Sequence, residues 1–150
     1  MRILIFIMYF FSLLASSHEY TKNEITIYHP ILKITSETSK IGAGYFKIIN
    51  NSNQTIFLKE IISDISKKLE IHEVVEEDNA FKMRPVKNFI AIKAKEELIF
   101  KSKSYHAMFL NFTKPLKDKG MVSAEVVFSN NLIIPVKFKI ILSNTTHMHN

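Results

Sequence analysis

From residue 24 onward the chain is a succession of short runs of β-branched and aromatic residues, each closed by Asn, Ser, Gly or Asp. That pattern constrains the fold more than any other feature. Runs at 24–28, 43–49, 55–62, 68–72, 89–93, 97–100, 107–112, 122–128 and 132–141 have the composition of strands. No convincing helical period lies between them, so the expected fold is an all-β, antiparallel sandwich or barrel of one domain. Pro85, Pro115 and Pro135 predict edges or strand ends, because proline cannot donate to a ladder. The chain has no cysteine, so its stability must come from apolar burial rather than disulfides. No internal repeat is present, and no low-complexity segment before the last few residues.

The N-terminus is of a different kind. Met1-Arg2 precedes an apolar run at 3–14 and then Ala15-Ser16-Ser17, the order of a basic n-region, a short h-region and a small-residue cleavage site. Residues 1–17 are therefore read as a cleavable signal peptide. The run is too short to span a bilayer of about 30 Å as a helix, so no stable membrane insertion is expected. Without a cysteine after it, a lipid-anchored precursor is not expected either. The mature domain is placed at 18–142, with a flexible tail at 143–150.

The formal charge of +6 is spread as single or paired lysines among glutamates. Nucleic-acid binding needs clustered Lys/Arg interleaved with aromatics, which this chain lacks. A preference for an acidic partner is compatible with the charge.

The residues with chemistry to offer are His72, Met83, His106 and Met108. Two imidazoles and two thioethers form a soft donor set that suits Cu(I). Methionine is also the sulfur ligand that resists disulfide chemistry in an oxidising compartment. His106 and Met108 are i, i+2 on a predicted strand and so share a face. His72 and Met83 flank Glu76-Glu77-Asp78-Asn79; if these four residues form the loop of a hairpin, Val75 faces Ala80 and His72 falls directly opposite Met83. Glu70 and Glu73 are candidate acceptors for the imidazole N–H groups. A blue-copper electron carrier is excluded for want of a thiolate, and nothing nearby has catalytic character. Standing alone, Met83 or Met108 would be a core filler and His72 an ordinary histidine; Met121, with no histidine neighbour, is assigned to the core, Tyr105 to packing, and His29 to structure.

In this order and spacing the four residues resemble the pattern of the periplasmic copper chaperone family PCu(A)C: a histidine, ten residues, a methionine, about twenty residues, then His-x-Met. The flanks Ile41-Gly42-Ala43-Gly44-Tyr45-Phe46, Leu69-Glu70-Ile71-His72-Glu73, Met83-Arg84-Pro85-Val86 and Tyr105-His106-Ala107-Met108 are similar to the family's blocks. The resemblance covers about residues 25–140. It implies a cupredoxin-like Greek-key sandwich holding Cu(I) at an exposed site, and delivery of copper to cytochrome c oxidase subunit II beside a Sco-like thiol protein. Val74 stands where relatives often carry a further methionine, and the gap from Met83 to His106 is about one residue longer than usual. A periplasmic monomer is expected, with copper buffering or resistance as the alternative use of the same site. A metal-free secreted interaction module is the other alternative, for which sequons such as Asn53-Gln54-Thr55 could be cited.

The chain ends in a second set of donors, His147, Met148 and His149. Paired imidazoles on such a tail favour Cu(II), and His18, as the new N-terminus, could add an amine. Since imidazole must be neutral to bind metal, Cu(I) affinity is expected to fall below about pH 6.5.

Overall fold

A computed structural model describes residues 18–143, so the expected signal peptide and all of the tail after Ser143 lie outside the described residues. Eleven strands follow one another: β1 Glu19–Lys22, β2 Ile25–Ile34, β3 Ile41–Asn50, β4 Ile56–Ile62, β5 Ser66–Glu77, β6 Ala80–Pro85, β7 Ile90–Ile92, β8 Glu97–Phe100, β9 His106–Phe112, β10 Met121–Phe128 and β11 Ile133–Leu142. No helix occurs among the described residues.

The strands that alternate most strictly in sequence lie at the centre. In β11, Ile134, Val136, Phe138 and Ile140 point inward while Pro135, Lys137 and Lys139 point out; in β10, Val122, Ala124 and Val126 do the same. One continuous sheet results, ordered β6-β5-β9-β3-β2-β11-β10-β4-β7, with β1 added to β2 and β8 to β3. The sheet folds over on itself. Phe46 of β3 and Phe109 of β9 both meet Phe138 of β11 edge-on, with ring centroids 5.6 and 5.3 Å apart. Gly42 and Gly44 make room for this layer: a Cβ on Gly44 would stand 2.9 Å from the Phe109 ring and 3.1 Å from that of Phe138.

Three details depart from the expected plan. Among the described residues the ladders are antiparallel except one, since β11 returns beside the first long strand and pairs with it in parallel, Lys139 opposite Ile31. Pro135 lies inside β11 rather than at its end; it faces Glu125 of β10, but β11 meets β2 only from Lys139 onward, so the other flank of Pro135 is locally an edge. Met121 is not a core residue. It takes the outward phase of β10 opposite Lys139 and is 43% exposed.

Candidate metal centre

The β5–β6 hairpin is built by a turn shorter than the one expected. Asp78 and Asn79 both have positive φ, 53° and 61°, and form a two-residue turn of the kind that matches strand twist. Their short polar side chains make the left-handed conformation accessible. Glu77 therefore faces Ala80, and the register moves by two residues: His72 lies opposite Pro85, and Met83 opposite Val74. The expected direct His72–Met83 pairing is corrected to a diagonal one. A two-residue shift preserves the face, so Met83 still projects on the same side as His72.

Across its other edge β5 makes a contact that the sequence did not predict. His72 pairs directly with His106 of β9, and Glu70 with Met108. The two imidazole rings stand 5.7 Å apart, inclined at 61°. His106 is 4% exposed, whereas Met83, one strand further out on β6, is 67% exposed. Met108 is half-buried. The fold thus brings His72, His106 and Met108 together on adjacent strands and sets Met83 at the open rim, diagonal to His72. Diagonal neighbours of this kind are about 7–8 Å apart, within reach of a long side chain. His147, Met148 and His149 lie outside the described residues.

Hydrogen bonds fix the two rings in complementary ways. Nδ1 of His106 lies 2.9 Å from the carbonyl oxygen of Ser104, which can only accept; Nδ1 therefore carries the proton, and the lone pair of Nε2 is free. Nε2 of His72 lies 2.9 Å from Oε2 of Glu70, an acceptor, so in the neutral ring Nε2 carries the proton and Nδ1 the free lone pair. Glu70 is held ionised for this task. Hydrogen bonds from Lys68 first, and then from His72, keep its carboxyl below the usual carboxylate range. Glu73, the other carboxylate proposed for this role, points to the opposite face, where it accepts from Nε of Arg84 at 2.9 Å. The Ser104 carbonyl had no signal in the sequence, because a backbone oxygen has no residue type. Lys68 did: Lys68, Glu70 and His72 alternate along one strand face.

A family model for LpqE-like proteins, named for a lipoprotein, matches residues 25–140. The chain belongs to the LpqE-like family. Solved structures with the same fold as this LpqE-like chain include the apo PCuAC domain from PmoF1, at 17% identity and TM-score 0.70 over 84% of this chain and 100% of that one. The copper-bound PCuAC domain from PmoF2 matches at 16% and 0.69, over 84% and 99%. The Cu(I) form of DR1885 from Deinococcus radiodurans matches at 16% and 0.61, over 87% and 83%. No curated protein sequence matches. The cupredoxin-like architecture expected for the LpqE-like chain is therefore the observed one, and its family name is in keeping with export.

Proposed function

We propose that this chain is a periplasmic Cu(I) metallochaperone of the PCu(A)C kind, a carrier rather than an enzyme, which acts as a monomer and supplies copper for cytochrome c oxidase assembly. The acceptor in this reading is the copper centre of subunit II, reached directly or through a Sco-like thiol protein. The observation that carries the reading is the His72–His106 pair: two imidazoles on paired strands, each with one nitrogen occupied by an acceptor and the other left as a free base. Outer hydrogen bonds of this kind are the usual means of orienting metal-binding histidines. Met108 on the same face and Met83 at the rim supply thioethers, so the donor set is neutral and soft, suited to Cu(I). The copper-bound PmoF2 domain and the Cu(I) form of DR1885, which share the fold, are in line with this choice of metal.

The arrangement suits transfer. His106 is covered and anchored, while Met83 is exposed at an edge strand, so an incoming ligand displaces the outer sulfur first and the inner imidazole last. Anaerobic Cu(I) competition on the mature domain tests the site. One tight equivalent is expected, abolished by His106→Ala and weakened about tenfold by Met83→Ile; retention of wild-type affinity by His106→Ala would remove the basis of the proposal. We assign a second, Cu(II)-binding role to His147, Met148 and His149, tested by whether deletion of residues 147–150 lowers Cu(II) uptake while Cu(I) affinity is unchanged.

A further inference from the structure

The outward face of the sheet beside the histidine pair is not the polar surface expected of a solvated strand layer. From β9 through β3 and β2 to β11 the outward positions are Met108 and Leu110, Ile41, Ala43 and Tyr45, Ile31, and Ile141, each half-buried or exposed, with Ile41 at 53%. Registers place them in contiguous rows, since Met108 pairs with Ala43, Ala43 with Lys33, and Lys33 with Ile141. Tyr45 follows on the same face, and burial pushes its phenol up from the ordinary tyrosine range. Contiguous apolar positions on an outward face, next to the proposed metal site, point to an interaction surface.

The charges set among these apolar positions are lysines, and the carboxylates of Asp64 and Glu125 enter only at the margin, where they line a groove with Lys137. Lys33, Lys137 and Lys139 project from this face, and none has a carboxylate within ion-pair distance among the described residues. Lys33 instead lies 5.6 Å over the Tyr45 ring. No Asp or Glu occupies an outward position of β2, β3, β9 or β11. The carboxylate nearest the histidines, Glu70, is already held by Lys68 and His72.

We infer that this face, centred on Ile41, Tyr45 and Ile141 and studded by Lys33 and Lys139, is the docking surface for the copper acceptor, and that the acceptor is a protein whose metal site is ringed by carboxylates. The inference rests on the delivery reading above. A protein rather than a membrane is the occupant because the face is continuous with Met108 and the His72–His106 pair, so whatever covers it lies against the metal donors. Uncompensated lysines favour an acidic rim and accelerate encounter in a salt-dependent way.

The test follows Cu(I) transfer from the loaded mature domain to the apo soluble domain of cytochrome c oxidase subunit II, for wild type and for Lys33→Glu combined with Lys139→Glu. Both substituted positions are outside the metal-donor set, and Cu(I) affinity is measured in parallel. Expected is transfer about tenfold slower in the double variant, with unchanged affinity and without the slowing by salt that wild type shows. Equal transfer by the two proteins overturns the docking face and leaves delivery standing. No transfer from wild type removes the delivery reading and this one with it. If the double variant instead loses binding to vesicles of phosphatidylcholine and phosphatidylglycerol while transferring normally, the face belongs to lipid and the inference is wrong.

Discussion

Glu70 decides which nitrogen His72 presents, because its carboxylate accepts a hydrogen bond from Nε2–H and leaves Nδ1 with the free lone pair, whereas the Ser104 carbonyl accepts from Nδ1–H of His106 and leaves Nε2. Glu70→Ala frees the His72 ring to rotate and to exchange tautomers, so Cu(I) affinity is expected to fall about 10-fold or more with the fold intact. Anaerobic competition measures the loss, and nitrogen-15 shifts of the His72 ring follow the tautomer; unchanged values for both would leave Glu70 without a role. The same carboxylate contributes to the apo fold. Its pKa is lowered in the folded state by Lys68 and His72, so its stabilisation is present above the usual carboxylate range and is lost as pH falls through the folded value. Glu70→Gln lacks this contribution, and the melting-temperature gap between wild type and Glu70→Gln should therefore close on acidification from neutral to strongly acidic pH. The four proposed donors and Glu70 could be singled out in the sequence because each is a residue type with a chemical reason to be there, and the fold sets them on one face. The Ser104 acceptor could not, since backbone oxygens are placed only by the chain's path, and Glu73 misled because neighbouring carboxylates on a strand face opposite ways.

At the scale of the hairpin, Asp78-Asn79 fixes where Met83 lands. Both residues have positive φ, a conformation that β-branched side chains resist. Asn79→Val should cost about 1–2 kcal/mol in urea denaturation, and Asn79→Gly should be neutral or slightly stabilising. Equal stability of the two variants would mean that the turn does not hold the register. The strands themselves were legible from period and turn residues, and the face shared by His72 and Met83 survived the misplaced register because side-chain orientation repeats every two residues. The loop length was not recovered, since Glu76 and Glu77 are as polar as a turn yet extend β5. In β3, the two glycines answer to packing from elsewhere in the chain. Gly44→Ala forces the Phe109 and Phe138 rings apart and should cost about 1–3 kcal/mol by denaturation, whereas Ala43→Gly on the outward face should cost less.

In the whole molecule, the proposed metal donors belong to β5, β6 and β9, but the order of the sheet makes their geometry depend on the last strand. β11 lies between β2 and β10, and Phe138 joins the layer that carries Phe46 and Phe109. This pairing could not be read from the sequence, because local patterns identify a strand without naming its partner, and the β2–β11 ladder joins the first long strand to the last. Its consequence is testable. A protein ending at residue 132 retains His72, Met83, His106 and Met108 but leaves the edges of β2 and β10 unpaired and uncovers Phe46 and Phe109 by losing Phe138, so it should show neither a cooperative unfolding transition by circular dichroism nor tight Cu(I) binding. Phe138→Ala is the milder form of the same experiment, with an expected loss of about 3–5 kcal/mol and a copper site that recovers wild-type affinity wherever the variant is folded. Tight Cu(I) binding by the truncated chain would show instead that β5, β6 and β9 hold the donors by themselves, and that the remainder of the sheet serves only the surface the domain presents.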